Sequence, residues 1–506
     1  MTATEQAPRV LGPEASAPRV TRAVGKTVRD HWSFVCVLSA GLALRALAET
    51  AYRPALLYID SAKYLVGSGG TAPEGYQALL RPLDPIGGLA LVAAVQHAFG
   101  LAMAIAVYVL LIRRGARRWV ATLATASVLL DAYQIQLEQT IMPDVLFETM
   151  ITAGLVLLLW HPRRAGAWPA AAGALVLGAT TTVREIGGVL IVPAVVFAAL
   201  TAPRWRRGAL AAACFALPVL GYMTGALFVT GHFGLASNGP GPEYGRAAAA
   251  ADCATLVLPA DERALCPSPG ETLALGGIDG LLHNPGSPGH TVPVPPGTTR
   301  GQLLDRFSLA VFGQQPLRVA ASVIGDSTRL FALTRDGDPQ ITNIARWQFQ
   351  VFYPTYPHRY TMAAFTRLAR QHGSGGGLAA AEPIARLLRA YQLGGGYTPG
   401  PLYAAALAAG LLGALSGLRK RGAGREPAAA CLLVTLAAAV LLLSSDAFEF
   451  SWRYQLPAVV MLPLAGALGL TALAVRFTAA RSATGGTGRR TRPAPAESGP
   501  RAPAGR

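Results

Sequence analysis

Charged residues are scarce in this chain, and their scarcity argues against a soluble fold. Asp, Glu, Lys and Arg make up 14% of its 506 residues, whereas soluble domains carry about 25%. Hydrophobic residues make up 52%, and the mean hydropathy is +0.37. A soluble protein of this size could not cover so much apolar surface with so little charge, but a lipid bilayer can. The composition therefore predicts an all-α polytopic membrane protein.

Acidic residues are the scarcer charged class, with 27 Asp and Glu against 44 Lys and Arg, which gives a net charge of +17. In a soluble protein this excess would favour a nucleic-acid partner. Here Lys and Arg crowd the short links between apolar runs and the C-terminal tail, as the positive-inside rule expects. We therefore predict no nucleic-acid partner.

Cysteine is rare as well, with five residues in the chain. Cys36, Cys214 and Cys431 lie in apolar runs, where we expect them to act as inert packing residues. Cys253 and Cys266 lie in a polar segment that we place outside the membrane. Whether these two form a disulfide stays open at this point, because spacing in the sequence does not show geometry.

Long apolar runs are abundant and predict about ten transmembrane helices. Several runs approach the roughly 20 residues that a bilayer needs, and the shorter ones must borrow flanking residues. The first run is long and has no convincing cleavage site, so we expect an uncleaved helix rather than a signal peptide. The runs are 33–48, 86–112, 119–130, 143–160, 168–183, 187–200, 209–229, 401–418, 428–443 and 454–475.

The basic links predict the orientation. If the N-terminus is cytoplasmic, every dense basic cluster falls on the cytoplasmic side, and so does the C-terminus. These clusters are "RRGARR" (113–118), "HPRRAG" (161–166), "PRWRR" (203–207), "RKRGAGRE" (419–426) and the tail after Arg476. We therefore expect a multi-pass protein of the cell membrane.

This topology divides the chain into five parts. The first is a disordered cytoplasmic arm, and the second is an N-terminal transmembrane catalytic module whose first outer loop covers 50–83. A polar segment rich in Gly and Pro forms a small, loop-rich extracytoplasmic region. C-terminal transmembrane helices and a disordered basic tail follow. The predicted boundaries are 1–31, 32–230, 231–400, 401–475 and 476–506.

Acidic and basic side chains meet at the outer ends of the predicted helices. An ionisable group inside a span costs about 2.5–3.5 kcal/mol on insertion scales, so such groups usually line a polar cavity. The pattern indicates one charged cavity at the outer face. Its candidate members are Asp60, Glu138, Asp144, Arg184, Glu185, Asp446, Glu449 and Arg453.

Asp60 lies in the first outer loop, within "PALLYIDSAKYL" (54–65). If this stretch is helical, Asp60 and Tyr64 share one face, with Lys63 beside them. A carboxylate at this position can act as a general base on an acceptor hydroxyl. The alternative is that Asp60 caps the short helix or only pairs with Lys63.

The other candidates also allow structural explanations. Asp144 follows a proline and suits the first turn of a helix, whereas Glu138 has no such reason to lie there and favours a cavity role. Arg184 and Glu185 are sequence neighbours that pair poorly on a helix, so Arg184 is free to meet Glu138 or a phosphate. Arg453 could extend to the lipid head groups, or its planar guanidinium could bind a phosphate group.

Three further motifs carry little weight. "RDGDP" (335–339) contains a DxD pattern, but Asp, Gly and Pro together are typical of a turn. A lone intramembrane histidine, His97, is more often a packing residue, and "GKT" (25–27) lacks the upstream glycine of a phosphate-binding loop. We predict neither a metal nor another cofactor.

Taken together, the chain resembles the GT-C superfamily of integral-membrane glycosyltransferases, which use a lipid-phosphate-linked sugar. It is similar to bacterial members related to protein mannosyltransferases and to aminoarabinose and lipopolysaccharide-core transferases. The resemblance covers most of 33–475. It is carried by "LALRALAE" in the first helix, "YIDSAKYL", "LDAYQIQLEQTIMPDVLFE" and "RYQLPAVVMLP".

The resemblance implies that Asp60 is the catalytic base of an inverting transfer. It also implies a site for the donor phosphate lined by Arg184 and Arg453, and we expect Lys63 and Tyr64 to orient Asp60 or the sugar. Many members carry a second acid directly after the aspartate, but this chain has Ser61, which is our reason for predicting no metal. The implied partners are a polyprenyl-phosphate-linked sugar and an extracytoplasmic acceptor hydroxyl on a glycan, lipid or protein.

Two other functions compete with this prediction. A transporter or flippase of a lipid-linked glycan would also use a charged cavity, but it should show internal repeats and broken helices at the midplane. We see no repeat, and the charges gather at one interface. An assembly or receptor protein would need a highly structured outer region, yet the outer segment is the most loop-rich part of the sequence.

Overall fold

The computed structural model of the protein describes residues 26, 28–160, 167–201, 205–236, 243–355, 361–373, 375, 377–417 and 425–485. Helices dominate this part of the chain. Its N-terminal half contains α1 (Trp32–Ala51), α2 (Ser61–Val66), α3 (Gln77–Arg113), α4 (Arg118–Leu130), α5 (Ala132–Gln139), α6 (Asp144–Leu159), α7 (Ala167–Ala179), α8 (Ile191–Thr201) and α9 (Arg206–Thr230), with 3₁₀ turns at Thr180–Thr182 and Glu185–Leu190.

The remaining helices belong to residues 231–400, which we predict to lie outside and call the outer segment, and to the C-terminal bundle. They are α10 (Tyr244–Ala250), α11 (Ala260–Arg263), α12 (Pro269–Leu275), α13 (Gly277–His283), α14 (Pro288–Thr291), α15 (Arg300–Gln314), α16 (Pro316–Thr328), α17 (Met362–Gln371), α18 (Glu382–Leu393), α19 (Gly400–Leu415), α20 (Glu426–Phe448) and α21 (Pro457–Gly485), with 3₁₀ turns at Arg329–Phe331 and Ile344–Trp347.

The all-α polytopic architecture predicted from the sequence is confirmed. Most of the described residues of each predicted apolar run lie on a helix. Among the described residues, five helices are long and apolar enough to cross a membrane, and further apolar helices are shorter. The number of ten crossings stays a prediction. The five long spans are Trp32–Ala51, Gln77–Arg113, Arg206–Thr230, Glu426–Phe448 and Pro457–Arg476.

One break at Gly88 divides the longest helix, α3, into a short first piece and a long apolar second piece. Gly88 has φ +60°, a conformation that other residues rarely adopt. A Cβ at Gly88 would lie 2.6 Å from the carbonyl oxygen of His372 at the end of α17. The His372 Nδ1 and Asp84 Oδ2 atoms lie 2.7 Å apart. The glycine therefore lets the end of α17 pack directly against the break in α3.

The outer segment is tied to the first loop by a two-stranded antiparallel sheet. Strand β1 (Tyr52–Arg53) pairs with β2 (Ala379–Ala380), with Tyr52 opposite Ala380. A single parallel bridge joins Leu56 to Thr140 in the turn between α5 and α6. These short pairings fix the first loop between the outer segment and the turn before α6.

The outer segment has a small core of its own, which includes Tyr244, Leu265, Leu303 and Phe307. Capping boxes start two of its helices, at Ser268 for α12 and at Thr299 for α15. Cys253 and Cys266 form a disulfide, which settles the alternative left open by the sequence. The segment is therefore more helical than its Gly and Pro content indicates.

The C-terminal helices α19 and α21 pack through glycines. A Cβ at Gly413 would lie 2.6 Å from the Cα of Gly469, and a Cβ at Gly469 would lie 2.0 Å from the Ala409 carbonyl oxygen. Small residues allow helices in a membrane to approach this closely, which increases van der Waals contact between their backbones. The glycines thus set the spacing of this helix pair.

Loops that the sequence assigns to the same side of the membrane lie together. Arg114, after α3, pairs with Glu426 at the start of α20, and the Arg113 guanidinium lies 4.5 Å from the centre of the Trp160 ring at the end of α6.

The predicted basic links 161–166 and 419–424, and part of 203–207, lie outside the described residues. So does most of the predicted N-terminal arm. Helix α21 continues into the first part of the predicted tail and ends at Gly485, and the disorder of the tail stays a prediction.

Candidate functional site

The first loop is held in place by Ser61, the residue beside the predicted catalytic aspartate. The Ser61 hydroxyl is buried, donates to the Ile141 carbonyl oxygen at 2.8 Å, and accepts from the Tyr58 N–H at 2.8 Å. Asp60 stands at the N-cap position of α2, but its side chain makes no capping hydrogen bond. The carboxylate is therefore available for other partners.

Charged side chains from four separate segments form a continuous chain of ion pairs. Asp60 Oδ1 lies 3.5 Å from Lys63 Nζ, and Asp60 Oδ2 lies 3.0 Å from Arg453 Nη1. Arg453 also holds Asp144, with Nη2 3.0 Å from Oδ2, and Asp144 in turn pairs with Arg184. We refer to these five side chains as the ion-pair chain. It contains three cations and two carboxylates.

Access to solvent differs sharply along this chain. The Asp60 side chain is 31% exposed, whereas that of Asp144 is 6% exposed and that of Arg453 is 5% exposed. Asp144 is the first residue of α6, as helix-start chemistry expects, yet its carboxylate is committed to two arginines. Asp60 is therefore the carboxylate that a ligand can reach.

The surroundings of Asp60 favour its ionised form. Burial within the cleft raises the pKa of the carboxyl, but the positive charges of Arg453 and Lys63 outweigh that effect, and the pKa lies below its usual value. Burial raises the pKa of the neighbouring Tyr58 and Tyr64 hydroxyls to about 12. Near neutral pH the Asp60 carboxyl is therefore ionised, and the phenol groups of Tyr58 and Tyr64 are neutral.

Aromatic rings flank the two arginines. The Arg184 and Arg453 guanidinium carbons lie 4.9 Å and 5.4 Å from the centre of the Tyr454 ring, and Arg453 lies 5.5 Å from that of Trp347. Such cation–π contacts fix the guanidinium planes without neutralising their charge. Tyr454 was not predicted from the sequence, although its position next to Arg453 was a usable signal.

A narrow recess opens beside Asp144. Its lining includes Glu148, a second acid four residues along α6 that the sequence analysis did not assign to the site. An acid in an apolar helix, on the same face as Asp144, was the signal that could have found it. The lining residues are Asp144, Phe147, Glu148, Arg184, Ile186, Ser445, Arg453, Tyr454 and Pro457.

Glu138 lies elsewhere, in a buried network of its own. Arg45 Nη2 donates to Glu138 Oε1 at 2.7 Å, and His97 Nδ1 lies 2.9 Å from Oε2. Gly100 leaves the space for this network, because a Cβ there would lie 2.0 Å from Oε1. Arg184 accordingly meets Asp144 and not Glu138 as its acidic partner. A cavity role for Glu138 stays a prediction.

The other predicted residues fall in and around the site. Lys63 is partly exposed and lies 5.2 Å from the centre of the Tyr64 ring, which is buried. Glu185 follows Arg184 and begins the 3₁₀ turn before α8, where it is half-buried. Glu449 is buried and accepts a hydrogen bond from the Thr342 hydroxyl. Their proposed roles in the site stay predictions.

Both aspartates of the DxD pattern in the outer segment contact side chains that are close in the sequence. Asp336 accepts from Thr334 Oγ1 at 2.5 Å, and Asp338 pairs with Arg329 at 2.5 Å. The side chain of Arg335, which precedes them in the sequence, is buried instead and pairs with Asp131 at 2.8 Å. This arginine was missed because nothing in the sequence of a turn indicates that one of its residues will be buried.

Comparisons with known proteins agree with the predicted resemblance. The model of a family described as dolichyl-phosphate-mannose-protein mannosyltransferase matches residues 89–220. The matched stretch contains Asp144 and Arg184, whereas Asp60 and Arg453 lie outside it. No curated protein matches the chain.

One solved structure is also similar, the archaeal oligosaccharyltransferase AglB from Archaeoglobus fulgidus in complex with an inhibitory peptide and a dolichol-phosphate. Its sequence is 13% identical, and the TM-score is 0.41. The match covers 92% of this chain and 53% of the archaeal chain, so the protein spans about half the length of that relative.

Proposed function

We propose, from the confirmed resemblance to GT-C membrane glycosyltransferases, that this protein transfers a sugar from a polyprenyl-phosphate carrier to a hydroxyl group of an extracytoplasmic acceptor. The acceptor is a glycan, a lipid or a protein. The observation that carries the proposal is the ion-pair chain, because it joins one accessible carboxylate, Asp60, to two arginines from distant parts of the sequence.

In this mechanism Asp60 is the general base. Its carboxylate accepts the proton of the acceptor hydroxyl while that oxygen attacks the anomeric carbon of the donor sugar. The bond between the anomeric carbon and the phosphate oxygen breaks, and the phosphate leaves on the opposite face, so the configuration inverts. The 31% exposure of Asp60 gives the acceptor access to the carboxylate.

Arg184 and Arg453 bind the leaving phosphate. The ion-pair chain carries three cations against two carboxylates, so its uncompensated charge is positive and suits an anionic ligand. Guanidinium groups donate two parallel hydrogen bonds to phosphate oxygens. They stabilise the charge that builds on the phosphate as the glycosidic bond breaks, which is commonly a large contribution to catalysis.

Donor binding also activates the base. In the free enzyme Arg453 keeps the pKa of Asp60 low, which makes the carboxylate a weak base. A donor phosphate that binds Arg453 neutralises part of this positive charge. The pKa of Asp60 therefore rises toward its usual value when the donor is in place, and the carboxylate becomes a better proton acceptor.

The transfer takes place at the outer face in this proposal. The loop that carries Asp60 is paired with the outer segment through β1 and β2, and the site lies where the outer ends of α6 and α20 meet that loop. The donor enters from the bilayer beside the recess, and the acceptor enters from outside. Lys63 and Tyr64 position the sugar next to Asp60.

The proposal predicts that Asp60→Asn abolishes transfer. The substitution keeps the size of the side chain but removes its basicity, and we expect a loss of at least 10²-fold, the usual contribution of a general base. The measurement is transfer in membranes supplied with a panel of polyprenyl-phosphate sugars, at matched expression.

Arg453→Lys should also lower the rate of transfer in the same assay. An ammonium group cannot donate the two parallel hydrogen bonds by which a guanidinium binds a phosphate or the Asp144 carboxylate.

Asp84→Asn is the matched control. Asp84 is also partly exposed and paired, but with His372 and outside the ion-pair chain. It should keep wild-type transfer. Unchanged transfer by Asp60→Asn would exclude Asp60 as the base, and donor translocation without transfer would show that the protein is a flippase.

A further inference from the structure

A large cavity lies between the transmembrane helices, apart from the ion-pair chain. Its volume is about 640 Å³, within the range of small-molecule sites. Helices α4, α19 and α21 form its walls, and residues 390–399 of the outer segment form its roof. Its lining includes none of the residues that line the recess beside Asp144.

The cavity opens sideways, toward the lipid. Three leucines of its lining keep large exposed fractions, namely 60% for Leu123, 53% for Leu402 and 47% for Leu470. They belong to three different apolar helices, so the exposed edge of the cavity lies along the bundle surface that hydrocarbon covers. A molecule enters this cavity most easily from within the bilayer.

The roof of the cavity is polar but electrically neutral. Asp131 lines the cavity at this end, and its carboxylate pairs with Arg335 at 2.8 Å and accepts from the Thr398 N–H at 2.9 Å. Arg335 is enclosed by the rings of Tyr133, Tyr397 and Trp452. Because the cation is already paired and sealed, this end does not favour a phosphate.

One hydroxyl group at the polar end remains available. Tyr403 lines the cavity and is 1% exposed. Its hydroxyl lies near Thr398 and Arg335, yet no hydrogen bond of normal geometry engages it within the described residues. A buried hydroxyl without a partner costs about 1–3 kcal/mol, so a ligand oxygen at this point would relieve the cost.

We propose that the cavity binds one acyl chain of a diacyl membrane lipid, with the ester carbonyl of that chain accepting a hydrogen bond from Tyr403. The apolar walls accept the hydrocarbon, the lateral opening admits it from the bilayer, and the neutral polar end selects an uncharged ester over a phosphate. The lipid head group then stays outside the cavity. This site does not depend on the proposed transfer reaction.

The test uses the full-length protein in nanodiscs that contain phosphatidylcholine with a photoactivatable acyl chain. Cross-linked peptides are mapped by mass spectrometry, with the lipid-facing helix α9 as the measure of ordinary lipid contact. We expect labelling of α4 and α19 at the cavity to exceed that of α9 at least fivefold. Asp60→Asn should leave this labelling unchanged, which separates the site from the proposed chemistry.

Two substitutions and a matched control test whether the labelled chain occupies the cavity and bonds to Tyr403. Ala405→Phe fills the cavity and should lower its labelling at least fivefold, whereas Ala408→Phe, on an exposed part of α19 away from the cavity, should not. Tyr403→Phe keeps the shape and should lower labelling about fivefold, as expected for one lost hydrogen bond. The Tyr403→Phe variant therefore still tests the proposal if the Ala405→Phe protein does not fold.

Either of two outcomes would overturn the proposal. One is cavity labelling no higher than that of α9. The other is loss of the labelling when a polyprenyl phosphate is added at equimolar amount to the labelled lipid, which would assign the cavity to a carrier lipid.

Discussion

At the scale of single residues, the acidic side chains differ in what surrounds them. Asp60 and Asp144 face arginines at the edge of the bundle, and Glu138 faces Arg45 inside it. Glu449 faces a hydroxyl group in a buried position. The same carboxylate group therefore occurs in a partly exposed ion pair, in a buried ion pair and in a buried position without a basic partner in its hydrogen bond.

The ion pair of Glu138 and Arg45 is testable by a double substitution. Glu138→Gln leaves the buried Arg45 without its charge partner and should destabilise the protein by about 3–5 kcal/mol. Adding Arg45→Met removes the second charge and should restore most of the stability, measured by thermal unfolding in detergent. If transfer activity stays lost in the stable double variant, Glu138 has the cavity role that the sequence predicted.

Glu449 should make stability depend on pH. Burial, with the charge of Asp279, raises the pKa of its carboxyl from 4.5 to about 7. Between those values the folded protein binds more protons than the unfolded chain, so this contribution is complete below pH 4.5 and is lost as the pH rises through 7. A shift of this size corresponds to roughly 3 kcal/mol.

The comparison is with Glu449→Gln, which cannot ionise. The wild type should lose stability relative to this variant between pH 5 and pH 8, as measured by thermal unfolding in detergent at both values. Parallel pH profiles for the two proteins would mean that Glu449 is ionised throughout, contrary to this prediction.

At the scale of helices, glycine decides how closely elements pack. α19 and α21 touch through Gly413 and Gly469, whereas Gly221 and Gly225 on α9 have open space where a Cβ would lie. Glycine occurs in both places, but it allows close helix packing only between α19 and α21. The sequence shows small residues in both helices and cannot show which of them face a neighbour.

Substitution of these glycines should separate the two situations. Gly469→Ala places a Cβ against the Ala409 carbonyl oxygen, and we expect a destabilisation of about 1–3 kcal/mol because the helices must move apart. Gly225→Ala should be neutral or slightly stabilising, because alanine is the better helix former. Thermal unfolding in detergent compares the two, and equal effects would contradict the tight α19–α21 contact.

At the scale of the whole molecule, the loops gather at two ends of the bundle. The predicted outer positions Asp60, Asp144, Arg184 and Arg453 meet one another, and the predicted inner link at Arg114 meets Glu426. The alternation of sides inferred from basic clusters therefore agrees with the three-dimensional arrangement. Which end faces the cytoplasm is a separate prediction.

That orientation can be tested with introduced cysteines. Ala274→Cys, on the exposed face of α12, should react with a membrane-impermeant maleimide in intact cells. Arg117→Cys, in the basic link before α4, should react only after the cells are opened. Wild type gives the background, since its free cysteines lie in apolar helices. The reverse pattern would invert the topology.

The sequence alone determined the membrane class, the position of the apolar helices and the family resemblance. These follow from local composition and length, because a bilayer requires long apolar helices with charges at their ends. It also singled out Asp60, Asp144, Arg184 and Arg453, since ionisable residues beside apolar runs are costly unless they have a role.

Only the tertiary structure decided which of these charges meet. Residues 60, 144, 184 and 453 come from four separate segments, and their contacts depend on helix packing that no local pattern encodes. The same packing pairs Glu138 with Arg45 instead of Arg184, buries the Arg335 side chain and leaves a cavity between α4, α19 and α21. Charge and hydropathy place a residue along the membrane normal, whereas its neighbours are set by how the helices pack side by side.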